Sequence, residues 1–319
     1  MESKKLIVTA SPHITNHTST RGLMLNVCIA LLPALVASTL IFGARALLVT
    51  GVTVAACVGF EALYCVVMKK PVPVGDFSAV VTGMILAFNL PATIPLWIAI
   101  IGAFVAIVVA KQLFGGLGFN FANPALLGRI VLFIGFAGRM TAYAFPQTDI
   151  DALASATPLV AGNSMAGKDM LLQLLLGAHG GVLGETCAVA LILGGIYLIA
   201  TKTISAAIPL SYIGTVAVLS LVLGQDVVLQ LFSGGLLLGA FFMATDYVTS
   251  PFTLKGKLVY GVALGIVTFA IREWGSYAEG VSFALLFMNL WVPYINDLTR
   301  QTPYGYVKPA KKAKEGAGK

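Results

Sequence analysis

The sequence predicts an all-α integral membrane protein of about ten transmembrane helices in two inverted five-helix repeats. Three observations predict it. Hydrophobic residues make up 58% of the 319 positions and charged residues only 10%, against about 25% charged in a soluble domain; the mean hydropathy is +0.92. The apolar runs are about 20 residues long and lack the period-two alternation of a barrel strand. The runs also fall into two sets around a polar middle stretch at 146–181.

Residues 1–22 are polar and Ser/Thr-rich, without the apolar core and cleavage site of a signal peptide, and are expected to form a cytoplasmic segment. The first repeat is placed at 23–145. Its runs are 23–42, interrupted by Asn26 and Pro33; 46–68, which contains Glu61; 77–90, too short for a simple span and closed by Asn89 and Pro91; 95–114; and 125–145, with Arg129 and Arg139 near its ends. Between the last two lies the glycine- and asparagine-rich stretch Gly115, Gly116, Leu117, Gly118, Phe119, Asn120, Phe121, Ala122, Asn123, Pro124. The second repeat, 182–297, offers runs at 182–201, 204–223, 227–244, 258–271 and 280–294. A polar break from Thr245 to Pro251 follows its third run, and the basic 298–319 tail is expected to be cytoplasmic.

Short matches support a duplication: 82–86 resembles 233–237, and 125–127 resembles 284–286. An odd number of spans per repeat makes the halves inverted. Interruptions at matching positions then point to a binding site between them; here they are Asn89–Pro91 with Asp246–Pro251, and Asn123–Pro124 with Glu279–Gly280. With the N-terminus inside, Lys4, Lys5, Arg21, Lys69, Lys70, Lys111, Lys202, Lys255, Lys257, Arg300 and the tail lysines fall on the cytoplasmic side. Arg45, Arg139, Lys168 and Arg272 fall outside. This is the bias that the positive-inside rule expects, and it puts 146–181 on the outer face. The same distribution accounts for the net charge of +7 without nucleic acid.

Four cysteines, Cys28, Cys57, Cys65 and Cys187, sit in apolar segments with no C-x-x-C pair. They read as small buried hydrophobes, and no metal or iron–sulfur site is expected within the chain. Glu61 and Glu185 lie inside apolar runs, where an ionisable group is costly and marks function unless it is paired. The two readings are an ion path, with Asp76 as a third candidate, and a structural pair such as Glu61 with Arg129. Asp76, Asp226, Asp246 and Glu279 stand at segment ends, where capping suffices. Asn89, Asn120, Asn123 and Asn289 flank helix breaks, whose freed backbone must line a cavity or be buried in protein. Phe88, Phe119, Phe121, Phe241, Phe242, Phe283 and Phe287 cluster near those breaks and suit either core packing or a flat aromatic ligand. Thr157, followed by Pro158, suits a helix N-cap or an exposed hydroxyl that accepts a phosphoryl-linked group.

Three motifs now bear on family: GGLGFNFANPA at 115–125, SATPL at 155–159 and FFMATDYVTSP at 241–251. With the YAEGVSFALLFMN stretch at 277–289, they resemble the D subunit of Rnf complexes, over roughly residues 8–305. A relative is the B subunit of the sodium-pumping NADH:quinone reductase. The resemblance implies a urea-transporter-like inverted-repeat fold in the bacterial cytoplasmic (inner) membrane. It also implies electron transfer between ferredoxin- and NAD-linked subunits, coupled to Na⁺ or H⁺ movement. By resemblance, Thr157 takes FMN through a phosphoester installed by a flavin transferase, whose recognition pattern runs from Asp151 through Ser155 and Ala156 to Thr157. Ala154 and Ser155 depart from the family pattern, which has Ser or Thr and then Gly at those places. Relatives hold a second, non-covalent flavin, riboflavin or FMN, which the resemblance assigns to the membrane breaks at Asn120, Asn123 and Asp246. The implied partners are the other subunits of the complex, among them a second FMN-bearing subunit and iron–sulfur subunits, together with the lipid bilayer. No Rossmann fingerprint, cluster motif or Walker loop is present, so NADH oxidation and ferredoxin reading fall to those partners. Two alternatives stand beside this reading: the quinone-reductase B subunit, which carries a longer N-terminal extension, and a small-solute channel of the same fold with no bound chromophore.

Overall fold

The computed structural model describes residues 19–143, 170–177, 180–185, 187–275 and 280–301. Asp151, Ser155, Ala156, Thr157, Glu279 and the tail beyond Gln301 lie outside them. Among the described residues every regular element is helical.

Helix α1, Thr20–Phe42, starts where the Ser19 hydroxyl accepts from the Gly22 N–H at 3.2 Å, and it runs through Pro33 unbroken. Gly43, at φ 73°, both ends α1 and starts α2, Ala44–Val67; the positive φ suits a residue without a Cβ. Both helices have the roughly 20 residues of apolar length that a bilayer crossing needs, as do α12, Leu254–Trp274, and α13, Val281–Thr299. Four membrane-capable helices make this a multi-pass membrane protein.

Between them lie shorter apolar helices. Helix α3, Ser78–Phe88, is 11 residues long, about 16 Å at 1.5 Å per residue, half of a hydrocarbon core. Every residue from Thr82 to Phe88 is buried, so the whole circumference packs on protein. Helix α4 begins as Leu96–Phe104 and continues as a π-helix, Val105–Gln112. Helix α5, Pro124–Gly135, has proline at its first position and Asn123 as its cap. The short α6, Ala137–Met140, and α7, Met170–Leu176, follow.

In the second half, α8 is Ala188–Ala200, α9 is Ala207–Val222 and α10 is Val227–Phe232. Helix α11, Leu236–Leu238, runs on as a π-helical Gly239–Met243. Two expected runs are therefore shorter than the hydropathy suggests. The 182–201 run is helical only from Ala188, because the residues before it dock as non-helical backbone on the α3 break: Leu183 donates to Leu90 O at 3.0 Å and Gly184 to Phe88 O at 2.8 Å. A Cβ on Gly184 would collide with the Phe88 side chain. The 227–244 run is broken at Ser233, Gly234 and Gly235, the two glycines at φ 69° and 67°.

The N-caps of α3 and α11, Phe77 and Gly235, are both left-handed. Both helices also end at a polar break. This correspondence is in a different register from the short sequence match of 82–86 with 233–237. The halves interlock as α1 packs on α8 and α5 on α13, while α9 lies against α12 through Gly261 and Gly265, the close small-residue packing found between membrane helices. Gly194 of α8 meets the backbone carbonyl of Ala30 in α1, where a Cβ would overlap the oxygen. A backbone atom cannot rotate away as a side chain can. Gly194→Val is expected to cost about 3 kcal/mol or more, seen as an earlier thermal transition in detergent; an unchanged transition would show that α1 and α8 are not held at this distance.

Candidate cofactor cleft

The breaks that interrupt α3 and α11 approach one another, and buried side chains close the backbone they free. The Asn89 amide donates to Ile85 O at 2.7 Å, and its Oδ1 accepts from Arg129 Nη1 at 2.9 Å. The same Arg129 Nη1 donates to Ser282 Oγ at 2.5 Å. One guanidinium thus ties α5 to the α3 break and to the first turn of α13. Asn123 Oδ1 accepts from the N–H groups of Ala125 and Leu126, capping α5. Asn289 turns its amide nitrogen to the carbonyls of Thr249 and Leu285 and to the Tyr260 hydroxyl, and its oxygen accepts from the Asn123 N–H at 3.2 Å. Asp246 closes its own turn, accepting from Thr249 Oγ1 at 3.1 Å and from the Val248 N–H at 3.5 Å.

These elements leave a cleft that opens to solvent, with about 740 Å³ of empty space counting the open part. Asn120, Asn123, Asp246, Ser78 and Lys111 supply its polar wall; Phe241, Phe242, Met24, Val27 and Ile204 supply apolar surface. The three residues that the resemblance assigns to a non-covalent flavin meet here. Asn120 spends its amide nitrogen on Ala122 O at 3.0 Å, and Asn123 spends its oxygen on the helix cap. Among the described residues that leaves an amide oxygen on one and an amide nitrogen on the other, complementary groups for a ligand that both donates and accepts. Tyr247 at the rim donates through its hydroxyl to Thr203 O. Of the aromatic set, Phe241 and Phe242 line the cleft. Phe88 is buried under Gly184, Phe119 is exposed, Phe121 packs at a tilt against Phe114, and Phe283 and Phe287 contact Phe133 and Trp291.

Glu61 stands one layer behind the cleft. Its partner is Lys111, not Arg129: Nζ lies 2.7 Å from Oε1, and the two side chains are 2% and 0% exposed. Arg129 points instead to the amide and hydroxyl at the break, where a planar fork can serve two acceptors. Gln112 also donates to Glu61 Oε1, at 2.9 Å. Lys111 donates to Ser78 Oγ at 2.6 Å, and Ser78 donates on to Asp76 Oδ1 at 2.6 Å. Glu61 and Asp76 therefore belong to one network, linked through Lys111 and Ser78.

Glu185 belongs to another. It accepts from the Gly234 N–H, at the break before α11, within electrostatic reach of Arg129 and Arg272. Arg272 donates to Gln230 O at 2.6 Å and to Ser233 O at 3.0 Å. Asp226 is a helix cap, accepting from the Val228 and Leu229 N–H groups. Sequence reasoning misses Lys111, Ser78 and Gln112 as members of the site. The available signal is Lys111 itself, a cation inside the apolar run 95–114 that the orientation argument treats as a loop charge.

Comparison with known proteins bears on this arrangement. The family model described as NQR2, RnfD, RnfE matches residues 7–305. The chain is 44% identical over 317 residues to the D subunit of the Na(+)-translocating ferredoxin:NAD(+) oxidoreductase complex of Acetobacterium woodii, covering 98% of this chain and 100% of that one. It is 38% identical over 316 residues to the D subunit of the proton-translocating ferredoxin:NAD(+) oxidoreductase complex of Clostridium ljungdahlii, with coverage of 93% and 96%. The D subunit of an ion-translocating oxidoreductase complex of Vibrio atlanticus is 35% identical over 346 residues, with coverage of 94% and 99%. With a family match over nearly its whole length and full-length relatives well above 30% identity, the chain belongs to the NQR2, RnfD, RnfE family.

Proposed function

We propose that this chain is the flavin-bearing membrane subunit of an ion-translocating ferredoxin:NAD⁺ oxidoreductase complex, relaying electrons between its partner subunits. The carrying observation is the convergence of Asn120, Asn123 and Asp246 on one cleft beside a buried lysine. The cleft's walls pair two phenylalanines with unspent amide groups, which suits a flat ring edged with carbonyls and an N–H. A flavin bound there supplies one- and two-electron chemistry, while the chain supplies position and charge. Asn120 and Asn123 would hold the ring's polar edge, and Phe241 and Phe242 would pack on its apolar part.

FMN is carried covalently on Thr157, after a flavin transferase acts on the stretch from Asp151 through Ser155 and Ala156. The chain forms ten membrane segments in two inverted repeats, 23–145 and 182–297, with both termini cytoplasmic and 146–181 on the outer face of the bacterial inner membrane. The matched left-handed starts at Phe77 and Gly235 support the repeat, and the lysine distribution supports the orientation. Partners are a second FMN-bearing subunit and iron–sulfur subunits. Glu61, Asp76 and Glu185 are the proposed ion-path groups. Glu61 Oε2 and Glu185 Oε2 are buried with no hydrogen-bond partner among the described residues, a costly state for a carboxylate that a proton or cation would relieve. The Acetobacterium and Clostridium relatives are named for different coupling ions, so the ion varies within the family.

The test is the flavin that purified complex releases on denaturation, separated from the flavin that stays on the polypeptide. Wild type is expected to release one flavin per copy of this chain. Asn120→Leu, which removes a ligand-facing amide, is expected to retain it about tenfold less tightly while leaving peptide-bound flavin unchanged. A wild type that releases none, or an Asn120→Leu variant that retains flavin as well as wild type, would remove the cleft assignment.

A further inference from the structure

Lys111 is the least expected member of the cleft. It sits in the π-helical end of α4 and is 2% exposed, yet it lines the ligand space. An ammonium has three N–H donors. Among the described residues two are accounted for, by Glu61 at 2.7 Å and Ser78 at 2.6 Å. The third remains for whatever fills the cleft. A buried ion pair is weak evidence for stability, because desolvating two charges offsets their attraction. That this pair borders a ligand space gives it another use.

Resting on the flavin reading of the cleft, we infer that the Lys111–Glu61 pair sets the reduction potential of the bound flavin, with Lys111 favouring the reduced ring and Glu61 opposing it. The physical basis is charge. Reduction adds electron density to the ring, and a fixed cation in contact with the site stabilises that density in a low-dielectric interior more than it would in water. Glu61 lies behind Lys111 and partly cancels it. Gln112 holds the carboxylate at 2.9 Å, fixing it on the lysine. Asp76 reaches the pair only through Ser78 and is less buried, so solvent screens it more. The pair is therefore a built-in offset whose two halves act with opposite signs.

The opposite signs provide the test. Purified complex is titrated with dithionite in the presence of redox mediators, and the releasable flavin is followed by its absorbance. Lys111→Met unmasks Glu61 and is expected to lower the ratio of reduced to oxidised flavin at least tenfold at a fixed potential, a downward shift of about 59 mV for one electron. Glu61→Gln leaves Lys111 uncompensated and is expected to shift the potential upward by a similar factor. The double variant is expected to return toward wild type. A purely structural pair would give shifts of the same sign, or none, and either result overturns the inference. If Lys111→Met fails to fold or loses its flavin, the direction of the Glu61→Gln shift decides alone. Failure of the underlying reading looks different: the wild type would then release no flavin at all.

Discussion

Thr157→Ala is expected to abolish covalent flavin, with complete loss of the fluorescent band in a denaturing gel when the complex is expressed with a flavin transferase. The effect is all or none because the bond needs a hydroxyl oxygen and alanine has none. Released flavin from the cleft should persist, since Asn120, Asn123 and Asp246 are untouched. Thr157→Asn separates the two readings of the threonine. Asparagine caps a helix as well as threonine does but offers no hydroxyl, so the phosphoester reading expects no fluorescence from either variant. A cap-only role, with the flavin attached elsewhere, would keep the band in Thr157→Asn, and that outcome, or a dark wild-type band, would sink the covalent site at Thr157. The departure at Ala154 and Ser155 adds a graded version: Ser155→Gly, which restores the family's residue, is expected to raise the flavinylated fraction if recognition limits attachment.

The membrane class, the polar breaks and the asparagines at the cleft were legible because local chemistry carries them. A run of apolar residues that stops at Asn89 and Pro91, or that resumes only at Asn123 and Pro124, cannot remain helical across the break, and its freed amides must be satisfied nearby. What was not legible depended on distant partners. Glu61 and Lys111 are 50 positions apart in sequence, and which cation faces a buried carboxylate depends on how α2 and α4 pack. Gly184 sits in a stretch apolar enough to pass for the start of a span. Only the docking of that stretch on Phe88 and Leu90 shows why it is not helical. The same holds for Gly234 and Gly235, whose left-handed backbone breaks what hydropathy alone joins. Sequence hydropathy measures preference for lipid and says little about a segment wrapped in protein.

Arg129 is where that distinction has its largest energetic consequence. Arg129→Met is expected to destabilise the protein by about 3–5 kcal/mol, the cost of breaking a buried charged network, and to lower the apparent unfolding temperature in detergent by on the order of 10 °C. The loss has three parts. Asn89 Oδ1 and Ser282 Oγ lose the donor they share. Glu185 loses a nearby positive charge. The α3 break is also unpinned from α13 and from α5, whose first turn borders the cleft. Asn89→Leu removes the acceptor and places an apolar group beside the guanidinium, so the double variant is expected to lose less than the sum of the two singles. Additive losses would mean that the two groups do not interact, and an Arg129→Met variant as stable as wild type would mean that the guanidinium is solvated. Because Asn89 holds the carbonyl of Ile85, which lines the cleft, the double variant should also lose less flavin retention than the sum of the two single losses. Stability and cofactor retention then fall together, as they must if one guanidinium holds both the half-membrane helix and the wall of the site.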